Sequence, residues 1–516
     1  MSNFPRKRPR AFALAALASV ALVLTACSGG GSTPEKPAAA ADAPPLSIAA
    51  VSAPNSLDTA QLVDGQQMFV WSSIYDTLLK RDDKTGELAP NAASSWKYNE
   101  DGTELTLVLE PDMTFSTGDP VDAAAVVATM LRSKETPGIL QPKFALVDDV
   151  TAVDDLTVKV TFSAFDPQFV YNLALAAGAI GDPASLDSAE SATNPVGSGP
   201  YTLDLAASVP GTSYVLKKRD DYWNADAYPF PTFTVRVLQD PTASFNALQA
   251  GEINAATVQP QVKSQLDASA FEFGVVEAQS IAFIDILDRA GEKFPALGNQ
   301  KVRQAINHAI DRESMLKGIF AGSGQTTEQI FSPNGSVWDD ALNDTYDYDP
   351  KLGKKLVEEA GFSGETFKIP STFLTTAVEP TLSQAFADIG LGLEWVAVPP
   401  QQAQSALQSG EYGLTFQITG YNSDPADAFF HYSPNGFGNP LKYTNETLAG
   451  YFDTIDSTVD ADAAAPTYRE LNKYGVEQAY EAPIVFLDTT WATTDDIVLS
   501  GTKANPATVR MFTFEG

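Results

Sequence analysis

Residue types that commonly carry enzymatic or metal chemistry are scarce in this chain of 516 residues. It contains one cysteine, Cys27, and two histidines, His308 and His431. There is no HExxH zinc motif and no second cysteine to complete a zinc site. A G-x-S-x-G nucleophile elbow and a G-x-x-x-x-G-K-[ST] phosphate loop are also absent. The sequence therefore predicts a protein that is not an enzyme and that needs no metal or cofactor.

Neither histidine lies at a spacing typical of a metal-binding or catalytic motif. His308 lies off the apolar stripe of a predicted helix, which favours a surface position. His431 has no second metal-ligand type spaced with it, which favours a solvent-exposed or helix-end position over contact with a ligand or metal chelate. Paired carboxylates for glycoside hydrolysis cannot be singled out among 65 acidic residues, so an exported lipoprotein hydrolase stays as an alternative.

The cysteine lies between an apolar run and a glycine-rich segment. Residues 1–10 carry four basic residues and no acidic one, and residues 11–24 carry no charge. These are typical n- and h-regions of a secretory signal, too short to span a bilayer as a helix. The letters LTAC at 24–27 are typical of a bacterial lipobox. We predict a lipoprotein signal peptide over 1–26 and lipidation of Cys27; a buried core cysteine is the alternative.

Residues 27–45 are rich in Gly, Pro and Ala, which is typical of a flexible tether. No later stretch is apolar over eighteen residues. We therefore expect an exported protein that lipid on Cys27 holds at the outer face of the cytoplasmic membrane.

The chain is strongly acidic, with a formal net charge of −32. Loss of residues 1–26, which hold four basic and no acidic residues, would make it −36. Nucleic-acid binding is disfavoured, because phosphate contacts need clustered Lys and Arg. The hydrophobic content of 44% can supply two or three cores without disulfides, and a monomer is expected.

The elements that would position a site alternate between strands and helices, which predicts an α/β fold. Residues 46–51 are expected to form a buried strand and residues 66–82 a helix. Further helices are expected at 121–135, 241–250, 300–320, 350–361, 379–390, 400–410 and 462–481.

Several segments resemble, in order, the family 5 extracellular solute-binding proteins of ABC importers, a class that includes dipeptide-, oligopeptide- and nickel-binding proteins. They are IYDTLLKRDDKTGELAPNAASSWKYNEDGTELTLVLEPDMTFSTGDPVDAAAVV (74–127), NPVGSGPY (194–201) and VRQAINHAIDRE (302–313). In the second segment, Gly197 and Gly199 suit a tight turn in which positive φ is favoured.

The resemblance implies a two-lobed periplasmic-binding-protein-like clamp (type II, cluster C) with an extra domain inserted in the first lobe. Two strands crossing near residues 277 and 485 would form the hinge. The implied parts are lobe I (46–82, 198–276 and 485–516), the extra domain (83–197) and lobe II (277–484).

The resemblance also points to a ligand segment, TGYNSDPADAFF (419–430). Tyr421 occupies the position of an aspartate that pairs with the peptide ammonium in dipeptide-binding members, while Asn422 and Asp424 are kept. Tyr421 cannot supply that charge, which puts dipeptide binding of this kind in doubt. Asp424 could supply it by turning inward, but capping a helix that starts at Pro425 is the favoured expectation.

Other cleft candidates follow from their positions in the implied fold, and each could equally be core or surface: Ser52, Asn55, Phe283, Asp285 and Trp491. The implied function is capture of an oligopeptide-like solute and delivery to an ABC permease, powered by separate ATPase subunits. A sugar or metal chelate is the alternative solute, and sensing or chaperone-like work is the alternative role.

Overall fold

A computed structural model of the protein describes residues 43–515 apart from 83, 400, 401, 495, 502 and 504–506. The predicted signal peptide and Cys27 lie outside the described residues. Within the described part of the chain, no helix combines the length and the apolar character that crossing a membrane requires.

The described residues form strands and helices in irregular alternation, as the sequence predicts. The strands are β1 (Leu46–Ala50), β2 (Leu79–Arg81), β3 (Leu88–Pro90), β4 (Ala93–Tyr98), β5 (Glu104–Leu109), β6 (Val147–Ala152), β7 (Thr157–Phe162), β8 (Tyr201–Leu203), β9 (Ser213–Lys218), β10 (Thr232–Val237), β11 (Ala255–Thr257), β12 (Phe271–Ile286), β13 (Gly324–Thr326), β14 (Thr366–Ser371), β15 (Gly392–Ala397), β16 (Leu414–Gly420), β17 (Glu481–Thr494), β18 (Ile497–Leu499) and β19 (Phe512–Phe514).

The helices cluster in the second half of the chain. They are α1 (Met68–Ile74), α2 (Ala123–Glu135), α3 (Phe169–Asn172), α4 (Pro241–Gln249), α5 (Pro295–Gly298), α6 (Gln300–Ala309), α7 (Arg312–Gly318), α8 (Pro350–Ala360), α9 (Glu379–Asp388), α10 (Ala403–Gln408), α11 (Asp424–Tyr432), α12 (Glu446–Ile455) and α13 (Ala461–Gln478).

One nine-stranded sheet runs through the molecule in the order β16-β12-β17-β11-β1-β10-β9-β8, with β13 also paired to β17. Its central strands, β12 and β17, are long and antiparallel. The first part of β12 pairs with the last part of β17 beside β11, and the last part of β12 pairs with the first part of β17 beside β16. These two strands therefore connect two lobes, each with its own core.

The first lobe has a core of aromatic and aliphatic residues from β1, β9, β10 and α1. The second lobe buries α6, α8 and α9 against β14–β16 and the ends of β12 and β17. A separate four-stranded sheet, β4-β5-β7-β6, packs with α2 around a third core. We call this third unit the small domain. The residue boundaries assigned to the lobes and the extra domain from the sequence remain a prediction.

The region from Gln66 to Asp82 differs from the expected single helix. Helix α1 ends at Ile74, since Tyr75 is extended with φ −114° and ψ 133°. The next residue, Asp76, is buried and accepts hydrogen bonds from the Tyr222 hydroxyl (2.7 Å) and the Trp223 indole (3.3 Å). Long-range contacts of this kind override helix propensity, and the chain continues as β2.

The two glycines of the NPVGSGPY segment are needed for a different reason from the one expected. Neither Gly197 nor Gly199 has positive φ. A Cβ atom on Gly197 would lie 2.1 Å from the Ile74 carbonyl oxygen, and one on Gly199 would lie 2.6 Å from the Ile74 carbonyl carbon. Close approach to the end of α1, not turn geometry, therefore requires glycine at both positions.

Candidate functional site

The pairing of β12 with β17 is interrupted by a bulge between the lobes. The register shifts between Val276 and Ser280, and Ala278 within this interval has a φ of 48°. The Ala278 N–H donates to Asp488 Oδ1 on β17 at 3.0 Å. Because a bulge bends its strand and increases the local twist, it changes the direction of β12 where the chain passes between the lobes.

A cavity of about 480 Å³ lies beside this bulge, and we call it the crossing cavity. Its walls come from the start of α1, from β11, β12 and β17, and from the end of β16, so both lobes bound it. The lining residues are Gly65, Gln66, Phe69, Pro241, Thr257, Val258, Gln259, Val276, Gln279, Ser280, Gly420, Asp488, Thr489, Thr490, Trp491, Ala507 and Met511.

The lining of the crossing cavity is rich in amides and hydroxyls. Asp488 is its one carboxylate, and the described lining residues include no lysine, arginine or histidine. Burial raises the pKa of Asp488, while the hydrogen bond from the Ala278 N–H lowers it. This wall offers donors and acceptors to an amide-rich solute, together with a single negative charge for a cationic group.

Trp491, which the sequence places in the cleft, lines the crossing cavity and is 3% exposed. Its ring lies edge-on to Phe69 at 5.8 Å and to Phe512 at 5.2 Å between centroids. Phe69 also lines the cavity. The two rings form an apolar part of the cavity's lining.

Ser52 and Asn55 lie near the crossing cavity without lining it. Both belong to the segment after β1, which is bonded to the residues before α1: Val51 N–H donates to Gln66 Oε1 at 2.7 Å and Asn55 N–H to Gln67 Oε1 at 3.1 Å. Ser52 is half-buried and Asn55 is exposed. Their contact with a solute remains a prediction.

Phe283 and Asp285 lie in the interior of the second lobe, away from the crossing cavity. Both side chains are fully buried. The Phe283 ring lies 5.2 Å from that of His431. Asp285 Oδ2 accepts from Gln417 Nε2 at 3.0 Å, and Asp285 Oδ1 lies 3.3 Å from Arg289 Nη2. In this structure both are core residues.

A buried ionic network surrounds Asp285. Arg289 bonds both Asp285 and Glu481, the latter at 2.7 Å, and donates to the His431 carbonyl oxygen at 2.6 Å. Burial raises the pKa of Asp285 to about 7, although the Arg289 guanidinium opposes this. Burial lowers the pKa of His431, and the nearby Glu481 carboxylate opposes that shift. The network joins β12, β17 and α11.

Of the two positions expected for His431, exposed or at a helix end, the structure shows the helix end. It lies in the last turn of α11, yet it is 3% exposed, with Nδ1 3.7 Å from Glu481 Oε1. His308 is half-buried, and its Nδ1 lies 2.8 Å from the Asp347 carbonyl oxygen. Among the residues that the structure describes, no cluster of His, Cys, Asp and Glu could hold a metal ion.

Tyr421 and Asn422 lie where β16 meets α11. The Tyr421 N–H donates to the Gln279 carbonyl oxygen at 3.2 Å. The guanidinium of Arg81 lies over the Tyr421 ring, with its Cζ 5.6 Å from the centroid, and donates to the Asn422 carbonyl oxygen. Burial raises the pKa of the Tyr421 hydroxyl, which therefore stays neutral.

Asp424 turns inward and does not cap α11. The cap is Ser423, whose Oγ accepts from the Ala426 N–H at 3.3 Å. Asp424 Oδ2 accepts from the backbone N–H and the hydroxyl of Ser336, each at 2.9 Å, and the residue is 8% exposed. Burial raises the pKa of Asp424, and the Ser336 hydrogen bonds lower it. The helix begins one residue earlier than expected, so the serine takes the capping position.

Comparison with known proteins decides what kind of site this is. Residues 87–439 match the model of the bacterial extracellular solute-binding proteins, family 5 (middle region). The chain belongs to this family. As a family 5 protein it is the solute-binding component of an ABC importer and acts outside the cytoplasm. It binds and does not catalyse, as the sequence predicts.

Individual relatives span most of the family 5 protein. Glutathione-binding protein GsiB of Pectobacterium atrosepticum is 29% identical over 399 residues, covering 75% of this chain and 76% of that protein. Heme-binding protein A of Haemophilus influenzae is 26% identical and covers 91% and 92%. The structure of DppA from Helicobacter pylori in complex with the peptide STSA has a TM-score of 0.76 at 20% identity, covering 91% and 98%. The predicted two-lobed α/β fold is confirmed.

Asp488 lines the crossing cavity, but it was not among the candidates named from the sequence. It lies in the stretch APIVFLDTTWA, residues 482–492, where it is the only charged residue. A lone carboxylate in an apolar strand has a high desolvation cost and so marks a position worth testing for function. Gln66, Gln259 and Gln279 gave no such signal, because glutamine is common on any surface.

Proposed function

We propose that this family 5 protein captures a peptide-like solute in the crossing cavity and delivers it to the membrane permease. The observation that carries the proposal is the cavity: about 480 Å³, bounded by both lobes, with amide or hydroxyl side chains on seven of its seventeen described lining residues. Pockets of this size between domains are typical small-molecule sites. Amide-rich walls match the repeating donors and acceptors of a peptide backbone.

Asp488 is the residue that we assign to the solute's amino terminus. A buried ammonium without a carboxylate partner costs roughly 3–5 kcal/mol. Tyr421 cannot supply the charge, and Asp424 is not among the described residues that line the crossing cavity. Asp488 is half-buried, lies in the lining and, among the described residues, accepts one side-chain hydrogen bond, from the Ala278 N–H.

The names of similar proteins support a peptide-like solute. One relative is named for glutathione, a tripeptide, and one protein of the same fold was solved with the peptide STSA. Closure of the two lobes on such a solute requires only that the solute bind the closed state more tightly than the open state. Hinge motion about β12 and β17 would close the two lobes.

We also propose the arrangement of the chain at the membrane. Cleavage before Cys27 and lipidation of its thiol would leave residues 27–45 as a tether for a monomeric body. Lobe I would comprise 46–82, 198–276 and 485–516, with 83–197 as the extra domain and 277–484 as lobe II. The basic and apolar segments before Cys27 support this arrangement.

Intrinsic fluorescence offers a direct test, since Trp491 lines the crossing cavity. The protein, purified from an exporting bacterial host, would be titrated with glutathione, with the peptide STSA and with N-acetylated STSA. We expect a saturable change with at least one free-amine peptide and, if it is STSA, at least about tenfold weaker binding of its acetylated form. Equal affinity for both forms of STSA would contradict the role of Asp488.

A non-peptide solute is the second candidate. The rings of Trp491 and Phe69 offer stacking surface for a sugar or a flat chelate, and heme-binding protein A spans nearly the whole chain. Titration with hemin and with a panel of sugars tests this candidate. Saturable binding of one of these, with no response to any peptide, would replace the peptide assignment and keep the importer role.

A further inference from the structure

The charged residues around the crossing cavity are of one sign. Five stretches of the chain supply all of its lining except Ala507 and Met511, and together they contain seven acidic residues and no Lys, Arg or His. The whole chain has 33 basic residues against 65 acidic ones, so these stretches are more one-sided than the rest. The stretches are 61–73, 237–262, 274–284, 416–428 and 484–494.

Two of these acidic residues lie together at the bulge of β12. Asp488 lines the cavity, and Glu277 is an exposed residue within the shifted part of the β12–β17 register. Burial raises the pKa of Asp488, the hydrogen bond from the Ala278 N–H opposes this, and repulsion from Glu277 adds to the rise. A solute carboxylate brought to this part of the cavity would meet the same repulsion.

Arg81 contacts one of the five stretches, but it is engaged outside the cavity. Its Nε donates to the Gly86 carbonyl oxygen at 2.8 Å and its Nη1 to the Asn422 carbonyl oxygen. Its guanidinium lies over the Tyr421 ring. Arg81 is not among the described lining residues, so its contacts hold protein groups and leave the cavity without its charge.

Three further basic side chains follow or neighbour the lining in sequence, and none of them belongs to the described lining. Lys263 lies over the Phe273 ring, with Nζ 4.8 Å from its centroid. Arg510, between Ala507 and Met511, lines a separate cavity of about 20 Å³. Lys503 is exposed. The charge that the lining presents to a solute is therefore that of Asp488.

Neutral hydrogen-bonding groups make up the other polar part of the lining. Thr257, Gln259, Ser280 and Thr489 all line the cavity. Among the described residues, their side chains make no hydrogen bond within the protein. Hydroxyls and side-chain amides can donate to peptide carbonyls and accept from peptide N–H groups, so they suit uncharged parts of a peptide.

A short peptide with two free ends brings one ammonium and one carboxylate. The lining offers the ammonium a carboxylate partner in Asp488 and offers the carboxylate no cation. Burying a charged group without an opposite charge is costly, whereas a neutral amide in the same place needs only hydrogen bonds. The lining is thus suited to a peptide segment whose one charge is positive.

We propose that the crossing cavity takes the amino-terminal part of a peptide and discriminates against carboxylate groups. The end of the bound segment is either capped, as in a peptide amide, or continues into a longer chain whose carboxylate lies outside the cavity. This inference rests on the proposed function. It adds that glutathione, which has two carboxylates, is a poor solute for this protein, although one relative is named for it.

Isothermal titration of the protein purified from an exporting host tests this with STSA, its carboxyl-terminal amide and glutathione. We expect the amide to bind at least about tenfold more tightly than STSA, because STSA adds an unpaired carboxylate. Glutathione should bind more weakly than the amide. Binding of STSA as tight as that of its amide, or tighter binding of glutathione, would overturn the inference.

The outcomes separate this inference from the proposed function. Equal binding of STSA and its amide, with both weakened by acetylation of the amino terminus, would keep peptide capture and overturn the discrimination. Lack of binding by every peptide would overturn both. The octapeptide STSASTSA distinguishes the two kinds of solute: affinity like that of the amide indicates a longer chain, and affinity like that of STSA indicates a capped end.

Two further measurements locate the discrimination in the lining. It should persist in about 1 M NaCl, where the Debye length is about 3 Å; its loss there would assign it to the long-range charge of the chain and overturn the proposal.

Gln259→Arg adds a cation to the lining and should lower the ratio of amide affinity to acid affinity at least about fivefold. Gln265→Arg adds the same charge at an exposed position outside the lining and should leave the ratio unchanged. Circular dichroism would confirm that both variants are folded. An unchanged ratio in Gln259→Arg would show that the lining does not set the preference and would overturn the proposal.

Discussion

Two carboxylates near the junction of the lobes have different surroundings. Asp488 lines the crossing cavity, and its carboxylate accepts one hydrogen bond from the part of the chain that the structure describes, from the Ala278 N–H. Asp424 is more deeply buried and gives one of its oxygens to two hydrogen bonds from Ser336. Since an ionised carboxylate has about four acceptor sites, Asp488 keeps capacity for a solute ammonium.

The charge on Asp488 is expected to matter for solute binding. In Asp488→Asn the amide oxygen can still accept from Ala278, so only the charge is removed. We expect the affinity for a free-amine peptide to fall at least about tenfold, because hydrogen bonds to charged groups contribute about 1.5–3 kcal/mol. Calorimetric titration would measure this. Glu272→Gln removes an exposed carboxylate from the first part of β12 and should change the affinity little.

The buried network is expected to make stability depend on pH. Burial raises the pKa of Asp285 to about 7 from an ordinary 3.8, so the folded state holds a proton that the unfolded state releases. This contribution is fully present below about pH 4 and is lost as the pH rises through about 7. Urea unfolding at several pH values should therefore show a fall in unfolding free energy over this range.

Asp285→Asn should reduce that fall, because the amide does not titrate. Asp462→Asn, which changes an exposed carboxylate, should retain the wild-type dependence on pH. If the Asp285 variant showed the same dependence as the wild type between pH 4 and 7, the proton would belong to another group.

Residue positions could be predicted from the sequence only in part. Trp491 was named from the implied fold and does line the crossing cavity. Phe283 and Asp285 could not be placed, because residues 281–286 of β12 are buried on both faces and alternation gives no signal there. Whether Ser423 or Asp424 caps α11 depends on whether the helix begins at residue 424 or 425. Sequence patterns do not fix a helix boundary to one residue.

At the scale of elements, the segment that contains Gly197 and Gly199 packs directly on the end of α1. The Gly199 N–H donates to the Ile74 carbonyl oxygen at 2.8 Å. A β-carbon on Gly199 would lie within 2.8 Å of three backbone atoms of Ile74 and Tyr75. Backbone atoms on both sides cannot move as a flexible side chain would, so the contact tolerates no larger residue.

Gly199→Ala is therefore expected to lower the unfolding free energy by about 1–3 kcal/mol, the usual effect of overpacking. Gly450→Ala provides the control, since a Cβ there meets no atom within 4 Å and the residue lies in α12. That variant should be neutral or more stable by up to about 1 kcal/mol, because alanine favours helix. Equal stability of the two variants in urea would contradict the packing argument.

Most helices of the second lobe were predictable, but the single helix expected over 300–320 is divided into α6 and α7 because Ile310 is extended. The region after α1 was not predictable. Helix α6 buries the Val302, Ala305 and Ile306 stripe that its periodicity indicates. The sequence after Ile74 also fits a helical pattern, yet burial of Asp76 against Tyr222 and Trp223 breaks it. Partners more than 140 residues away cannot be read from a local pattern.

At the scale of the whole molecule, Arg81 joins β2 to the segment between β16 and α11. Its guanidinium donates to the Asn422 carbonyl oxygen and lies over the Tyr421 ring. β2 packs on the core of the small domain through Leu79, whereas Asn422 belongs to the second lobe. The contact therefore stabilises the arrangement of these two parts that the structure shows.

Arg81→Ala should shift the molecule toward more open conformations. Loss of a cation–π contact and a hydrogen bond amounts to about 1–2 kcal/mol, or about a five- to thirtyfold change in the closed-to-open ratio. Small-angle scattering should show a larger radius of gyration without solute. Lys84→Ala removes an exposed charge nearby and should not change it. An unchanged radius for Arg81→Ala would show that this contact does not govern closure.

The overall fold followed from the order of family motifs, because those motifs are turns, caps and close contacts that fix backbone geometry. The solute could not be read in the same way. The crossing cavity is assembled from segments near residues 66, 258, 279, 420 and 490, which are far apart in the chain. Which side chains meet there depends on packing of the whole molecule.

Native mass spectrometry of the protein, purified without refolding from an exporting bacterial host, tests the central claim most directly. We expect a series of bound masses that fragment into peptides, and we expect them to be lost or reduced in Asp488→Asn. A single bound mass that is not a peptide, retained in that variant, would contradict capture of a peptide in the crossing cavity.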